Sequence, residues 1–389
     1  MLPSDFSKSS PGRVIKVSSG YWAFVPDPLP PALALDWNLA EPLAEASRRL
    51  GELAGVTRTL PNPHLLITSF VRREAVLSSR IEGTEASLSD LARFEVAPSK
   101  SAATADVSEV ANYVQALDYG LTRLKTLPMG LRLLREIHEH LMKGVRGDHA
   151  TPGEFRRSQN WIGSPGSSLA DATYVPPPVD EMHGALDAFE KFLHATSPLP
   201  ALVRLALLHQ QFEAIHPFLD GNGRVGRLLI TLLLCEWELL PDPVLYLSAF
   251  FERTRPEYYA HLLTVNRRGA WREWIRYFLE GVSHEANDAV QRSRRLFDLR
   301  QGYRRKLETT RAPGLVLRLV DELFAVPATS VASAAKLLGV TQRSAQLTIG
   351  KLAQAGILEE ATGRKRDRVF VGREILHVLE ANATVEGVR

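Results

Sequence analysis

The chain has 389 residues and one cysteine, Cys235, which excludes an internal disulfide framework and fits a reducing compartment. Its 45% hydrophobic and 23% charged residues are typical of a soluble globular protein with about two or three domains. No apolar run approaches the roughly eighteen residues of a membrane span, and the N-terminus lacks the apolar core of a signal peptide, so we expect a cytoplasmic protein. The net charge of +3 permits contact with nucleic acid without requiring it.

The first hundred residues are predicted to form an arm followed by helices. Four prolines between 26 and 31 predict an extended arm up to about residue 36, with aromatic side chains that anchor it to the body. Apolar residues at helical spacing predict helices over 35–53 and 65–81, separated by Pro61 and Pro63. Gly83 has the position of a C-terminal helix cap.

Glu82 is an unfavourable residue at the end of the second predicted helix. A carboxylate in the last turn faces the negative end of the helix dipole. A solvated surface glutamate is the ordinary explanation for one such residue. Otherwise, another group in the protein is expected to compensate its charge.

The middle of the chain is predicted to be helical, with one β-hairpin. Apolar spacing predicts helices over 108–124, 131–145, 180–194 and 202–215, and a short segment starts at 86–91. Between 153 and 178, two β-prone runs flank turn-forming residues. We favour a hairpin that forms a flap there, with a structureless connector as the alternative. His138 and His140 are two residues apart, so they do not form a helical metal pair.

The stretch 216–227, HPFLDGNGRVGR, is unusual in combining a histidine, a carboxylate, three glycines, an asparagine and two arginines. The apolar run at 228–234 predicts a buried helix directly after it. Glycines allow backbone N–H groups to approach an anion, and a helix N-terminus favours phosphate. In a nucleotide site, Gly221, Asn222 and Gly223 would offer donors, and Arg224 and Arg227 would reach the polyphosphate from one helix face.

Two further residues of this stretch complete a reactive site. Asp220 only accepts hydrogen bonds, so beside phosphates it needs a cation, and Mg²⁺ fits one carboxylate plus phosphate oxygens. The unperturbed pKa of a histidine, near 6.5, suits His216 to take a proton from a hydroxyl. These residues predict transfer from a nucleotide to a hydroxyl. The GxxxxGK[ST] spacing of a P-loop is absent from the sequence.

The last third of the chain is predicted to hold more helices and a terminal domain. Helices are predicted over 258–266 and 269–278, and a basic helix over 283–307 is a candidate linker whose charges are ordinarily solvated. From 313 onwards, helices over 315–324, 330–338 and from 341, then two strands, match a winged helix-turn-helix. Arg364, Lys365 and Arg366 lie at the predicted wing tip. We favour DNA as its ligand, with protein interaction as the alternative.

The stretch 216–227 resembles the motif of the Fic (Fic/Doc) family, HPFx(D/E)GNGRxxR, at every fixed position. The resemblance covers about residues 30–279. It implies a mainly α fold, namely a Fic-type helical bundle with a β-hairpin flap, here followed by a C-terminal winged helix-turn-helix domain. The corresponding divisions are an N-terminal arm and helical region at 1–100, a Fic catalytic domain at 101–282, a basic linker helix at 283–312 and the winged helix at 313–389.

The resemblance also implies an activity, protein adenylylation, in which AMP passes from ATP to a Tyr, Thr or Ser hydroxyl of a target protein with Mg²⁺ bound. It makes His216 the base and Asp220 the metal ligand. The implied phosphate-binding residues are Gly221, Asn222, Gly223, Arg224 and Arg227. By position alone, the adenosine contacts would be Tyr258 and Asn266, and the flap residues that clamp nucleotide and target would be Asn160, Trp161, Ile162 and Gly163.

Ser78, Glu82 and Gly83 match the family's inhibitory motif, (S/T)xxxE(G/N), upstream of the active motif. The resemblance implies that Glu82 pairs with Arg227 and occupies the arginine that should hold the γ-phosphate. Two other functions stay open: a nucleotide-sensing DNA-binding regulator, against which the intact His216 argues, and a Fic enzyme that removes AMP or transfers UMP or another phosphate-linked group. Self-modification and a homodimer are also compatible with the sequence.

Overall fold

The computed structural model describes residues 1–33, 36–59, 63–97, 104–145, 151–164, 166–308, 314–364 and 366–381. Within these ranges the chain is mainly helical, with one two-stranded and one three-stranded antiparallel sheet. The chain divides into two compact units. The first comprises Met1–Gly51, Gln115–Leu240 and Leu247–Glu285, and the second comprises Glu52–Val114, Pro241–Tyr246 and Ala286–Arg389.

The helices have the following bounds in chain order: α1 (Trp37–Thr59), α2 (Pro63–Ile81), α3 (Leu88–Val96), α4 (Ala105–Arg123), α5 (Leu131–Met142), α6 (Val179–His194), α7 (Ala201–Ile215), α8 (Asn222–Glu236), α9 (Ser248–Arg253), α10 (Arg255–Arg268), α11 (Trp271–Glu308), α12 (Gly314–Leu323), α13 (Val331–Leu338), α14 (Gln342–Gln354) and α15 (Arg373–Glu380). The predicted helix at 35–53 thus continues to Thr59. Leu35 and Pro61 lie outside the described residues. None of the helices in the described ranges is long and apolar enough to cross a membrane.

The N-terminal segment is a β-hairpin, so the prediction of an extended arm was wrong in detail. Strand β1 (Gly12–Lys16) pairs antiparallel with β2 (Trp22–Pro26), with Val14 opposite Phe24. Phe24 is fully buried and stacks on Phe6 with ring centroids 5.2 Å apart. The prolines lie at or beyond the end of β2, where they terminate the strand without preventing its pairing. The predicted anchoring by aromatic side chains is confirmed for Phe24.

Helices α7 and α8 form the interior of the first unit and carry the motif between them. Both are buried over nearly their whole length. The sequence of α8 explains this, because the residues from Leu228 to Cys235 contain no charged side chain. The chain leaves α7 at His216 and enters α8 at Asn222, so the motif loop (216–222) is fixed at both ends by core helices.

The predicted hairpin near residues 153–178 is reduced to a single antiparallel bridge between Ile162 and Tyr174. The Ile162 N–H donates to the Tyr174 carbonyl at 2.9 Å, and the Tyr174 N–H donates back at 3.1 Å. Prolines 176–178 follow directly and offer no N–H groups for further pairing. We call residues 158–177 the flap segment.

Helix α11 is continuous, so the predicted break between 278 and 283 was wrong. Gly281 lies inside the helix, where an added Cβ would come within 2.8 Å of the Phe250 ring. The close contact accounts for a glycine that local propensity alone disfavours. Its basic residues are also not all solvated: Arg292 is only 1% exposed and bonds to both oxygens of Asp288, at 3.0 and 2.8 Å.

The C-terminal part of the second unit has the order α12, β3 (Ala328–Ser330), α13, α14, β4 (Glu359–Glu360), β5 (Val369–Val371) and α15. The sheet order is β3-β5-β4, with both pairs antiparallel. Strand β3 and helix α15 were not predicted from the sequence. Gly339, with φ +69°, ends α13, and Thr341 caps α14. Lys365, predicted at the wing tip, lies outside the described residues.

Candidate active site

His216 is the first residue after α7 and has left-handed backbone angles, φ 49° and ψ 61°. Its N–H donates to the Phe212 carbonyl at 3.0 Å and ends the helix. A non-glycine residue in this region costs of the order of 1 kcal/mol, although histidine tolerates it better than most. The turn directs the chain away from the axis of α7 and into the motif loop.

The carbonyl of His216 accepts two hydrogen bonds from buried donors. Arg156 Nε donates at 3.0 Å and Asn160 Nδ2 at 3.3 Å. The other Arg156 nitrogens donate to the carbonyls of Ser158, at 3.3 Å, and Pro177. Burial lowers the pKa of Arg156 to about 10, so the side chain keeps its charge at neutral pH.

The ring of His216 has a defined tautomer when it is neutral. Nδ1 lies 3.3 Å from the carbonyl oxygen of Glu213. Because a carbonyl only accepts, this bond requires the proton on Nδ1. The lone pair is then on Nε2, the nitrogen that a general base uses to take a proton.

The side chain of Asn222 closes the motif loop on itself. Its Oδ1 accepts from the Phe218 N–H and its Nδ2 donates to the Phe218 carbonyl, both at 2.8 Å. Asn160 Nδ2 donates to the same carbonyl at 2.8 Å. The Asn222 side chain therefore serves to close the loop, and its contact with phosphate stays a prediction.

The N-terminus of α8 has the geometry of an anion site. Gly221 has φ +77°, and the first bond of the helix runs from the Val225 N–H to the Gly221 carbonyl at 3.0 Å. The N–H groups of Asn222, Gly223 and Arg224 precede that bond, in the turn where a helix offers no carbonyl to its own donors. These donors and the helix dipole favour a bound phosphate.

Arg224 and Arg227 place two positive charges in the first turns of α8. Both side chains are buried, with 3% and 2% exposure. Nη2 of Arg224 lies 3.6 Å from Met142 Sδ and 3.8 Å from Asp220 Oδ1. A polyanion at the start of α8 would be stabilised by both groups.

Asp220 is the carboxylate nearest this helix start. Its side chain is 52% exposed, and Oδ1 accepts from the Gly221 N–H at 2.6 Å. Within the described ranges, no group of three or more His, Cys, Asp or Glu residues could hold a metal ion. An ion held by one carboxylate and by phosphate oxygens is a common arrangement for Mg²⁺ beside nucleotides, and a Mg²⁺ ion at Asp220 stays a prediction.

His138 supports the loop from α5, a role that the sequence did not reveal. Its Nε2 lies 3.1 Å from the Asp220 carbonyl, the Gly153 N–H donates to Nδ1 at 2.9 Å, and its ring stacks on Phe218 at 3.8 Å. Because Nδ1 accepts, the proton is on Nε2. Burial lowers the pKa of His138 from 6.5 to about 4, so the ring is neutral near pH 7.

His209 supports α8 from beneath in the same way. Its Nδ1 lies 3.0 Å from the Gly226 carbonyl and its Nε2 lies 2.8 Å from the Tyr258 hydroxyl. The carbonyl only accepts, so Nδ1 is protonated and Tyr258 donates to Nε2. Burial, together with the nearby charge of Arg227, lowers the pKa of His209 to about 3.

Tyr258 and Asn266, predicted as adenosine contacts, are both buried in α10. Tyr258 bonds to His209, and Asn266 Oδ1 accepts from Gln210 Nε2 at 2.8 Å. The structure thus connects both residues to α7. Their contact with adenosine stays a prediction.

The sequence matches two family profiles. Residues 40–122 match the Fic/DOC family N-terminal region, and residues 128–234, which include the site above, match the Fic/DOC family. The chain contains a Fic N-terminal region and a Fic domain. The resemblance inferred from the motif is confirmed.

Curated Fic relatives and solved Fic structures agree with this assignment. The protein adenylyltransferase Fic of Drosophila virilis is 30% identical over 159 residues, and that of Drosophila willistoni is 29% identical over 159 residues. These alignments cover 40% of this chain but only 29% and 28% of those proteins, so the chain spans less than a third of their length.

Two solved structures show the shared fold. A Fic family protein from Desulfovibrio desulfuricans superposes with a TM-score of 0.58 at 18% identity, covering 93% of this chain and all of that one. A Fic domain containing signaling protein from Bacteroides thetaiotaomicron gives a TM-score of 0.52 at 17% identity, with coverage of 64% and 94%. The predicted mainly helical Fic fold is confirmed.

The four predicted flap residues lie in two different environments, one buried and one exposed. Asn160 is buried under the motif loop, where it holds the carbonyls of His216 and Phe218. Trp161 and Ile162 are 41% and 38% exposed, and Gly163 is exposed as well. One flap residue therefore holds the loop while the next three face solvent, and their contact with nucleotide and target stays a prediction.

The predicted inhibitory residues lie at the end of α2, in the second unit. Ser78 is buried, whereas Glu82 is exposed and follows the last helical residue. Gly83 has φ +96° and donates to the Arg80 carbonyl at 3.0 Å, as expected for a helix that ends at a left-handed glycine. The pairing of Glu82 with Arg227 stays a prediction.

Proposed function

We propose that this Fic-family protein is a protein adenylyltransferase, which transfers AMP from ATP to a Tyr, Thr or Ser hydroxyl of a target protein. One observation carries the proposal. A histidine whose Nδ1 is held by the Glu213 carbonyl lies on the same loop as a helix N-terminus with two buried arginines. A base and a polyphosphate site so close in sequence and space suit transfer of a nucleotidyl group. The names of the Drosophila relatives support this reaction over other transfers.

The proposed reaction follows from the positions of these groups. Nε2 of His216 takes the proton from the target hydroxyl while the hydroxyl oxygen bonds to the α-phosphorus of ATP. The bond from the α-phosphorus to the bridging oxygen breaks, and pyrophosphate leaves. The N–H groups at the start of α8, together with Arg224 and Arg227, stabilise the negative charge on the phosphates.

Asp220 would hold a Mg²⁺ ion in this site. The ion would neutralise charge on the phosphates, a common contribution of Mg²⁺ to phosphoryl and nucleotidyl chemistry. Oδ1 of Asp220 already accepts the Gly221 N–H at 2.6 Å. That bond fixes the carboxylate directly before the N-terminus of α8, where the phosphates would bind.

We further propose that Glu82 restrains the reaction. The support is the match of Ser78, Glu82 and Gly83 to the inhibitory motif, together with the helix end that the motif needs. Arg227 would be the partner, because the family pattern assigns it to the γ-phosphate. Removing the carboxylate would then release the arginine for ATP.

ATP labelled in its α-phosphate tests the reaction and its restraint together. Weak labelling of protein by the wild type should rise sharply in Glu82→Gly and disappear when His216→Ala is added to that variant. Equal labelling of all three proteins would contradict the proposal. Labelling from UTP but not from ATP would reassign the nucleotide, and release of AMP from a modified protein would reassign the direction.

A second candidate function concerns the C-terminal part of the second unit. Its element order, its antiparallel sheet and the glycine turn between α13 and α14 support a winged helix-turn-helix. Arg343, Gln346 and Leu347 are exposed on α14, the helix that would enter a major groove, and Arg364 and Arg366 follow β4. We propose DNA as its ligand.

Binding to labelled duplex DNA at several salt concentrations tests this second function. DNA binding should weaken steeply with salt. It should also weaken in an Arg364→Gln, Arg366→Gln double variant. Salt-independent or undetectable binding would favour a protein-interaction role for this domain.

A further inference from the structure

We propose that Arg156 is a positioning residue that couples the flap segment to His216, so that a target held on the flap sets the position of the base. The role of His216 as a base rests on the proposed function. The hydrogen bonds of Arg156 do not depend on that function. The side chain of Arg156 donates to the carbonyls of His216, Ser158 and Pro177. Arg156 acts through the backbone carbonyls of the motif loop and of the flap segment.

Residues 156 and 160 hold three consecutive carbonyls of the motif. The side chain of Arg156 donates to the carbonyl of His216 at 3.0 Å, and its backbone N–H donates to that of Pro217 at 2.9 Å. Asn160 donates to the carbonyls of His216 and Phe218 at 3.3 and 2.8 Å. The beginning of the motif loop is therefore hydrogen-bonded to the chain that enters the flap.

The guanidinium of Arg156 also joins the two ends of the flap segment. Ser158 begins this segment and Pro177 ends it, and Arg156 donates to both of their carbonyls. One planar group thus holds the entry of the flap, its exit and the carbonyl of His216. A shift of either flap end changes the orientation of the donor that holds His216.

A separate bond connects the far side of the flap to the same turn. The buried hydroxyl of Tyr174 donates to the Ala214 carbonyl at 2.7 Å, two residues before His216. Tyr174 is the bridge partner of Ile162, which is exposed beside Trp161. Contact with a target at Ile162 would therefore be transmitted to residues 214–218 through two routes.

The side-chain chemistry explains why an arginine is needed here. The guanidinium offers five N–H donors in a fixed plane, so it can reach three carbonyls that lie in different directions. A lysine has one compact ammonium on a flexible stem and cannot hold all three at these distances. All of the Arg156 side-chain acceptors given above are neutral carbonyls, so its role is to fix geometry and not to neutralise a carboxylate.

Hydrogen–deuterium exchange of the full-length protein tests the coupling without any substrate. In Arg156→Lys, amides in the flap segment and in residues 214–222 should exchange about tenfold faster, the factor expected from the net loss of about one hydrogen bond. The matched control is Arg157→Lys, because Arg157 is 84% exposed and pairs only locally with Glu154. Its exchange should equal that of the wild type.

Tyr174→Phe keeps the inference testable if Arg156→Lys does not fold. This variant retains the ring and removes only the hydroxyl bond to Ala214. It should also accelerate exchange in residues 214–222. Faster exchange confined to the flap, with residues 214–222 unchanged in the variants that fold, would overturn the inference.

A kinetic measurement separates positioning from nucleotide binding. In a Glu82→Gly background, Arg156→Lys should lower kcat for AMP incorporation by about tenfold or more, with the KM for ATP within about threefold, because α8 and its arginines are untouched. A larger rise in the KM for ATP than fall in kcat would contradict the positioning role. If the parent protein incorporates no AMP, the proposed function fails, and the exchange experiment still decides the coupling.

Discussion

The motif loop and the flap segment meet at the same carbonyls but are stabilised very differently. The loop lies between two buried helices, and the side chains of Phe218 and Asn222 are buried inside it. Among its described residues the flap has one β-bridge, between Ile162 and Tyr174, and it exposes the large apolar side chains of Trp161 and Ile162. A reactive group needs a fixed position, whereas a surface that accepts a partner needs accessible apolar area.

Because of this difference, substitutions in the two regions should affect different properties, namely chemistry and stability in the loop and recognition on the flap. Changes in the loop alter a site whose geometry is fixed by burial and hydrogen bonds. Changes on the exposed side of the flap alter few intramolecular contacts.

Replacing His216 should have the greatest effect on activity and little effect on the loop. Asparagine tolerates left-handed backbone angles, so His216→Asn keeps the turn at φ 49° and removes the base. We expect AMP incorporation in a Glu82→Gly background to fall by about 10²- to 10⁴-fold, the usual contribution of a general base. The measurement is the initial rate with ATP labelled in the α-phosphate. A loss smaller than tenfold would show that His216 is not the base.

Gly221→Ala should destabilise the loop itself. Gly221 has φ +77°, and a Cβ there would lie 2.9 Å from Met142 Sδ. We expect urea denaturation to show a loss of about 1–3 kcal/mol in the free energy of unfolding. The control is Gly184→Ala in α6, where nothing lies within 4 Å of the added Cβ and alanine should stabilise the helix by about 0.5–1 kcal/mol. Equal effects of the two variants would contradict the packing described for the loop.

The loop and α8 could be predicted from sequence because their residues are consecutive. The glycines, the arginines and the apolar run after them specify a turn into a buried helix without reference to distant residues. The residues that hold the loop were not predicted. His138 and Arg156 lie on other segments, and a single histidine or arginine carries no local signal of its partner.

The sequence was less informative about the flap and the C-terminal part. Three prolines after Tyr174 limit a hairpin to one bridge, although the residues before them favour strands. Strand β3 has three residues, and its pairing with β5 joins residues about forty positions apart, which local periodicity does not detect. Helix α15 was also missed, and Arg292 holds its end, donating to the carbonyls of Leu379 and Ala381 at 2.9 Å.

Acid pH should weaken the support beneath α8 through His209. The pKa of His209 is lowered from 6.5 to about 3, so the unfolded chain binds a proton between these pH values and the folded chain does not. Its contribution to stability is complete above about pH 6.5 and falls by roughly 1.4 kcal/mol per pH unit as the pH decreases towards 3. Urea denaturation at pH 7 and pH 5 should show a smaller decrease in His209→Gln than in the wild type. His183→Gln, at an exposed position of α6, is the control that should keep the wild-type decrease.

Trp161→Ala should have the smallest effect on stability. The side chain is 41% exposed, and its Nε1 donates only to the Ser167 carbonyl at 3.1 Å, within the flap. We expect the free energy of unfolding to change by less than about 0.5 kcal/mol. A loss of about 2 kcal/mol or more would approach the loss measured when a buried aromatic residue is replaced by alanine. It would show that the flap is as tightly packed as the loop.

The central claim is that the motif transfers AMP and that Glu82 restrains it. Intact-protein mass spectrometry of the wild type and of Glu82→Gly, after incubation with ATP and Mg²⁺, tests it most directly. We expect a mass gain of one AMP on Glu82→Gly or on an added protein substrate, a much smaller gain with the wild type, and none with the Glu82→Gly, His216→Asn double variant. Absence of the added mass from all proteins, or an equal gain with and without His216, would contradict it.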